Sequence, residues 1–323
     1  MTRILSIPGD GIGKEVIPAA ERVLRRLAPD IEIERADAGY ETFVETGHAL
    51  LEETLQAALG ANAVLFGAVG SPLTPTPGYR SPIVALRRAL DLYGNLRPTT
   101  GPRANLLIVR ENTEGLYSGR ESLSEDGDTA IAERVITRRG SERIVRLAFE
   151  EARRRGFGKV TLVHKANVLR VTDGLFRETA LGVAGDFPDI GVDEMLVDTA
   201  AMHLAANPER FQVVVTTNLF GDILSDVACI HGGGLGTATS ANVGDGRALF
   251  EPVHGSAPDI AGTGVASPMA AFGCVEMLLR WLGRGDDADR LAVAMLEARR
   301  QAPETTAGWE EAVLASLPEV ATL

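Results

Sequence analysis

An α/β fold in two globular units is what this sequence predicts, and three observations carry that expectation. Short β-branched runs alternate with amphipathic stretches, which is the signature of βαβ connections. Glycine-rich turns bound the apolar runs. At 323 residues the chain exceeds the size at which a single hydrophobic core usually stops growing.

The elements follow in order. Arg3 to Ile7 reads as a strand, Pro8 to Gly13 as a glycine-rich turn and Glu15 to Leu27 as a helix. A strand from Ile31 to Asp37, a helix from Ala49 to Leu59 and a strand from Ala63 to Gly67 come next. Ser71 to Gly78 is too rich in proline for regular structure and reads as a loop. Ser81 then suits an N-cap and Pro82 the first helical position of a helix running to about Tyr93. Leu106 to Val109 is a short buried strand. Tyr117 to Val135 is polar and turn-containing, and fits either a protruding arm used for subunit contact or a disordered loop. Arg153, Arg154 and Arg155 end an amphipathic stretch, where they complement a helix C-terminus. Strands at Val160 to Val163, Met195 to Val197 and Val213 to Thr216 continue the pattern. After Gly232-Gly233-Gly234 the chain reads mostly as loop to Asp259, then as helix from Pro268. No internal repeat stands out.

Composition narrows the function classes. Hydrophobic residues at 45%, charged residues at 24% and a mean hydropathy of +0.05 describe an ordinary globular protein. No apolar run reaches the roughly 18 residues of a membrane span, and MTRILSIPGDG enters a strand pattern rather than a signal peptide, so a cytoplasmic location is expected. Cys229 and Cys274 sit in apolar surroundings without metal-ligand spacing and read as core residues. A formal charge of -12 disfavours nonspecific nucleic-acid binding, which needs a basic footprint. An acidic protein with an acidic substrate must concentrate cations locally, which directs attention to arginines and lysines inside apolar segments.

Asp222 and Asp226 are spaced i, i+4 just beyond a strand, so a helix would put both carboxylates on one face as hard oxygen ligands for magnesium or manganese. The bland alternative is a helix end in contact with solvent. A third carboxylate, Asp198, also follows a strand-like segment. Arg87, Arg97 and Arg110 are each weak alone, and Arg110 could pair with Glu111. Together they supply the guanidinium groups that a di- or tricarboxylate requires. Lys165 and Tyr117 are proton carriers if buried, or else a structural lysine and a packed tyrosine. The Gly9-Asp10-Gly11-Ile12-Gly13 turn does not fit G-x-G-x-x-G, because position 14 is lysine.

Taken together, IPGDGIGKEV, LRRALDLYGNLRP, IVRENTEGLYSG, HKANVLRVTDGLF, TTNLFGDILSD and FEPVHGSAPDIAG closely resemble the β-decarboxylating dehydrogenases of isocitrate, homoisocitrate, 3-isopropylmalate and tartrate/D-malate. The resemblance implies a two-domain isocitrate/isopropylmalate dehydrogenase-like α/β fold that is not a Rossmann fold. Its first domain would be discontinuous, about 1–94 plus 234–323, and the inserted domain 95–233 would carry a dimer-forming arm at about 117–136. It further implies that Arg87, Arg97 and Arg110 clamp the malate carboxylates, with Asn167 also on the substrate. Asp222 and Asp226 would bind the metal with Asp198 of a second subunit. Lys165, also reaching across the dimer, would act at the substrate hydroxyl, and Tyr117 near C3. Nucleotide contacts would come from His254, Gly255, Ser256, Ala257, Asp259 and Ile260, with Glu251, Ile12, Gly70, Ser71 and Ser267 nearby. Asp259 would bind the adenosine ribose and repel a 2′-phosphate, which selects NAD. A homodimer or a tetramer is implied, acting on a small 3-substituted malate without nucleic acid or membrane.

Three departures stand out: a shortened loop between Arg97 and Arg110, serine at 267 where many members have asparagine, and a missing proline in Leu235 to Ser240. For specificity, the positions three, four and seven before Arg87 can share its helical face. Ile83 and Val84 suit an isopropyl group, whereas Arg80 and Ser81 suit the extra carboxylate of isocitrate or homoisocitrate. The short loop and GYRSPIVALRR favour the homoisocitrate/isocitrate branch, with 3-isopropylmalate (leucine biosynthesis) as the alternative. A noncatalytic regulatory subunit is the competing class, but such chains lose catalytic residues that are all present here. No G-x-x-x-x-G-K-[ST] loop supports a phosphotransferase.

Overall fold

A computed structural model describes residues 2–70, 72, 74 and 76–317. The chain divides into two compact units, Met1–Asp91 with Leu235–Leu323, and Leu92–Gly234. Among the described residues no helix is long and apolar enough to cross a membrane.

The first unit opens with β1 (Arg3–Gly9), α1 (Gly13–Leu27), β2 (Glu32–Arg35), α2 (Tyr40–Thr46), α3 (Glu52–Gly60), β3 (Ala63–Ala68) and α4 (Pro82–Ala89). The single helix expected from Ala49 to Leu59 is therefore α3 alone, and the preceding α2 went unread. Its start is fixed by the Asp10 carboxylate, which accepts the Tyr40 N–H at 2.7 Å and the Glu41 N–H at 3.0 Å. α4 stops at Ala89 rather than near Tyr93, because Asp91 adopts a left-handed φ of 47° that turns the chain out of the helix. Ser81 occupies the N-cap position of α4, but its side chain makes no capping hydrogen bond.

The second unit comprises β4 (Gly94–Gly101), β5 (Ala104–Glu111), β6 (Glu121–Leu123), β7 (Ala130–Ala132), α5 (Arg138–Arg154), β8 (Lys159–His164), α6 (Thr172–Ala184), β9 (Gly191–Leu196), α7 (Val197–Ala206), β10 (Val213–Thr216) and α8 (Asn218–Cys229). Its sheet runs β4-β5-β10-β8-β9, antiparallel between β4 and β5 and parallel elsewhere. Ala104, Leu106 and Ile108 of β5 pack with Val214 of β10, Leu204 of α7 and Leu224 of α8 in the core. The segment read as either an arm or a disordered loop forms the antiparallel β6–β7 ribbon, with every strand residue exposed. The basic run closes α5 as expected, with Arg153 and Arg154 in its last turn and Arg155 at the C-cap. Arg154 and Arg155 pair with the buried Glu151, and Arg153 pairs with Asp189.

The chain then completes the first unit with β11 (Thr239–Gly244), β12 (Arg247–Pro252), α9 (Met269–Trp281), α10 (Gly285–Gln301) and α11 (Thr306–Ser316). The expectation of loop from Gly234 to Asp259 is corrected here, since β11 and β12 form a hairpin around Asp245-Gly246, with Gly246 at φ 74°. Within this unit the strands lie in the order β2-β1-β3-β12-β11, all parallel except β11. Ile4, Leu5 and Ile7 of β1, Val16 and Ile17 of α1 and Phe272 and Val275 of α9 are fully buried. Both cysteines are buried, as expected.

Candidate active site

In the second unit the parallel strands deliver functional side chains from their carboxyl ends. Arg110 lies near the end of β5 and is 2% exposed. Its Nε and Nη2 donate to Asn218 Oδ1 at 3.0 and 2.7 Å, and its Nη1 donates to Asp222 Oδ1. Arg97, on β4, donates from Nε to Asn95 Oδ1 at 2.9 Å and from Nη1 to Ser225 Oγ at 2.8 Å, and lies 3.2 Å from Asp222 Oδ1 and 3.7 Å from Asp226 Oδ1. Tyr117 donates its hydroxyl to Asp222 Oδ2 at 2.5 Å, and the Arg110 guanidinium stands 5.1 Å from its ring centroid. Tyr117 keeps 40% of its surface exposed, and partial burial first, then the Asp222 carboxylate, push its phenol above the ordinary range. Burial also raises the Asp226 carboxyl, with Arg97 opposing and Asp222 adding to the rise.

This knot depends on α8 lying against β5. A Cβ at Gly221 would meet Arg110 Cβ at 2.6 Å, so only glycine permits that approach. Asn218 extends the linkage by donating to the Glu114 carbonyl at 3.2 Å. Glu114 accepts the Thr137 N–H and hydroxyl at 3.0 and 2.8 Å, and Thr137 caps α5. The expected alternative partner of Arg110 is spent elsewhere, since the buried Glu111 accepts the Thr113 and Glu114 N–H groups.

Lys165 and Asp198 make an ion pair with each other inside this chain, where the lysine holds the Asp198 carboxyl below its usual range. The Lys165 N–H donates at 2.6 Å to Asp173, which is fully buried and paired with Arg134. Arg134 also donates to Thr217 Oγ1 at 2.8 Å, tying the Lys165 turn to the start of α8. Asn167 is exposed on the adjoining turn. Asp198 does not join Asp222 and Asp226, for no three acidic, histidine or cysteine side chains gather as a metal cluster among the described residues. The Asp222 and Asp226 side chains, 30% and 60% exposed, offer hard oxygens on one face of α8, and a divalent cation on Asp222 has to displace the Arg97, Arg110 or Tyr117 contacts that now engage both its oxygens.

In the first unit Arg87 Nη2 donates to Glu251 Oε1 at 2.7 Å, and Asn242 Nδ2 donates to the same oxygen at 2.8 Å. Arg87 Nε is buried without a hydrogen-bond partner among the described residues, so the guanidinium retains capacity for a carboxylate. On the same helix Ile83 is 9% exposed and Val84 is half-buried, whereas Arg80 is exposed and precedes the N-cap, so it does not share the helical face of Arg87 as the spacing suggested.

The segment after β12 carries the expected nucleotide residues. Ser256 O accepts the Ile12 N–H at 2.9 Å, Ala257 adopts a left-handed φ of 39°, and Ile260 N–H and Ala261 N–H return to Ala257 O. His254 Nε2 is buried without a partner among the described residues, while burial keeps the ring below its usual pKa and therefore neutral. That orphaned nitrogen and the exposed Gly255 and Asp259 suit a polar ligand such as a dinucleotide. Ser267 accepts the Met269 N–H at 3.4 Å near the start of α9. Gly70 donates to Asp10 Oδ2 and accepts from the Tyr79 hydroxyl at 2.8 Å, whereas Ser71 lies outside the described residues. The glycine turn is no phosphate cradle of the Rossmann kind. Asp10 occupies the amides of Tyr40, Glu41 and Gly70, and Gly11 gives room to Ser256 O, which a Cβ would approach to 2.2 Å.

A fold of two α/β units with clustered arginines and paired helix carboxylates defines a carboxylate-handling enzyme of the decarboxylating dehydrogenase class. The chain belongs to the isocitrate/isopropylmalate dehydrogenase family, whose profile matches residues 3–308. It is 48% identical to a homoisocitrate dehydrogenase of Methanocaldococcus jannaschii over 91% of this chain and 89% of that one. It is equally 48% identical to a 3-isopropylmalate/3-methylmalate dehydrogenase of the same organism, over 92% and 91% of the two chains. The crystal structure of isocitrate dehydrogenase from Methylococcus capsulatus superposes with a TM-score of 0.94 at 41% identity, covering 98% of this chain and 99% of that one.

Sequence reasoning missed Asn95, Asn218, Ser225, Asp173, Arg134 and Asn242. Asn95, Asn218, Ser225 and Asp173 lie inside the motifs already singled out. Asn242 had one usable signal, the Asp245-Gly246 hairpin turn.

Proposed function

We propose that this chain is an NAD- and divalent-metal-dependent dehydrogenase of homoisocitrate or isocitrate, yielding the 2-oxo acid and CO2. The observation that carries the reading is Asp222 held by Arg97, Arg110 and Tyr117, which gathers anion-binding, cation-binding and proton-donating groups around one carboxylate.

Arg87, Arg97 and Arg110 bind the malate carboxylates, with Asn167 beside them. Asp222 and Asp226 hold magnesium or manganese together with Asp198 of a second copy. When bound, the cation supplies Lewis acidity at the C2 oxygen and NAD accepts the hydride. Lys165 takes the C2 hydroxyl proton, directly or through water. The ketone formed accepts the electron pair released as the C3 carboxyl leaves as CO2, and Tyr117 returns a proton to C3. The raised Tyr117 phenol suits that donor role, because it stays protonated at neutral pH. Asp259, with His254, Ser256, Ile260 and Glu251, binds NAD and disfavours a 2′-phosphate.

Two further features support the reading. Arg80 is exposed and the Ser81 hydroxyl is not spent on capping, whereas Ile83 is committed to the core, which favours a distal carboxylate over an isopropyl group. Ile223 on α8 and Ile230 just past its end are 52% and 61% exposed, and Leu123, Ile131, Val168 and Val171 are also exposed, as a homodimer with shared sites would require. The setting we propose is cytoplasmic.

The test is NADH formation with magnesium or manganese, comparing kcat/KM for homoisocitrate, isocitrate, 3-isopropylmalate and D-malate, with NADP as control. A tricarboxylate preference supports Arg80 and Ser81 as the distal site, and an isopropylmalate preference transfers specificity to Ile83 and Val84. Turnover of none of them defeats the enzyme reading and leaves a regulatory subunit.

A further inference from the structure

We infer that Glu15 is a positioning residue for the dinucleotide, acting through the loop that carries Asp259 and Ile260. This rests on the NAD reading above. Glu15 lies in the first turn of α1, and its carboxylate reaches across 247 and 249 sequence positions to accept the Gly262 N–H at 2.7 Å and the Gly264 N–H at 2.9 Å. Both glycines have left-handed φ, 80° and 71°, which turns their amides toward a single acceptor. Four residues past Gly11, one carboxylate thus takes two backbone donors from the far end of the chain.

The other end of the same loop is fixed from the same helix start. Ile12 N–H donates to Ser256 O at 2.9 Å, and Gly11 has no Cβ to obstruct that oxygen. The two anchors bracket residues 257–261, so Asp259 and Ile260 lie on a span whose ends α1 sets. Inside the span the turns close on themselves, with Ile260 N–H and Ala261 N–H on Ala257 O and Thr263 N–H on Ile260 O. Thr306 backs the outgoing strand of the loop, donating its N–H to Gly264 O at 2.8 Å and its hydroxyl to Ala266 O at 2.6 Å.

An acidic residue in the first turn also interacts favourably with the helix dipole. That role would act on stability alone. A carboxylate bonded bidentately to two amides does more, since a charged acceptor with two donors fixes the loop in one conformation and lowers the ordering cost of binding. Losing it should weaken the dinucleotide and blunt the choice between NADH and NADPH, because Asp259 would no longer be held where a 2′-phosphate must pass.

The experiment is calorimetric titration of the full chain with NADH and with NADPH, on wild type, Glu15→Ala and Glu15→Gln, with a thermal melt of each unliganded protein. Expected for Glu15→Ala is an NADH Kd raised about tenfold and a smaller NADH-to-NADPH preference. Glu15→Gln, which keeps one acceptor oxygen and the side-chain volume, should fall between. Should the alanine variant fail to fold, the glutamine variant is read together with amide hydrogen exchange at Gly262 and Gly264, which should speed up where the acceptor is weakened. Unchanged Kd values in both variants, or a lowered melting temperature with the coenzyme preference intact, would overturn the positioning role. A wild type that prefers NADPH instead defeats the NAD reading, and the Glu15 role then stands or falls on the NADPH Kd. Binding of neither coenzyme removes both.

Discussion

One set of carboxylates in each unit is held in the opposite way to the other. In the second unit Asp222 is collared by side chains, the guanidiniums of Arg97 and Arg110 and the phenol of Tyr117. In the first unit Asp10 and Glu15 are collared by backbone amides of residues 40, 41, 70, 262 and 264. Long side chains can exchange a protein carboxylate for a substrate carboxylate by small rotations. Amides fixed in turns cannot. The first arrangement suits groups that must engage a reacting molecule, and the second suits a frame that must keep its shape.

If that contrast holds, disabling the collared anion of the second unit should have the largest effect. Asp222→Asn takes from Arg97 and Arg110 the carboxylate they share, leaving Arg97 with Asp226, and removes a cation ligand. We expect kcat/KM to fall by about a thousandfold or more in NADH-formation assays. A loss under about tenfold would mean that Asp222 is structural. Tyr117→Phe should lower kcat by about a hundredfold, with the defect in the protonation that follows CO2 loss.

The same tyrosine gives a pH test. Its folded pKa lies above the usual value of about 10. The hydrogen bond to Asp222 therefore contributes fully below that unfolded value and is lost as pH rises through the folded one. Burial also raises Tyr79, so absorbance titration at 295 nm should show two tyrosines ionising late in wild type and one fewer in Tyr117→Phe. An ordinary titration for this residue would contradict its hydrogen bond to the Asp222 carboxylate.

Smaller effects sharpen the comparison. Gly221→Ala drives a methyl into Arg110 and should cost about 1–3 kcal/mol, read in a denaturant melt. Asn242→Ala removes one of the two side-chain donors to Glu251 Oε1, the other being Arg87. We expect it to raise the substrate KM by several-fold, up to about tenfold, with little change in kcat, and Asn242→Asp should not restore the wild-type value because its carboxylate would face Glu251.

Legibility in the sequence follows the same divide. The Asp222 knot draws on compact motifs whose residue types already declare their chemistry, so Arg97, Arg110, Asp222 and Tyr117 could be named beforehand. What holds them was less legible, because asparagine and serine are common in loops and helix ends. Glu15 and Asp10 act on backbone amides that carry no side-chain signature and lie up to 249 positions away. The β11–β12 hairpin escaped because both strands are almost wholly buried, so neither shows the alternation that betrays a half-buried strand. The end of α4 escaped because it is set by one left-handed aspartate, which helical periodicity does not register.

The discontinuity of the first unit has a consequence for synthesis. β3, buried at all six positions, bonds to β1 on one side and to β12 on the other. As the chain leaves the ribosome, β12 follows β3 only after all of Leu92–Gly234 has emerged. At roughly 5–20 residues per second, an apolar strand edge stands open for on the order of ten seconds or longer. Unpaired edges of that kind recruit other strands. The interval in which this protein is most exposed to aggregation is therefore written into its strand order, and the second unit can fold while the first is still waiting for its closing strand.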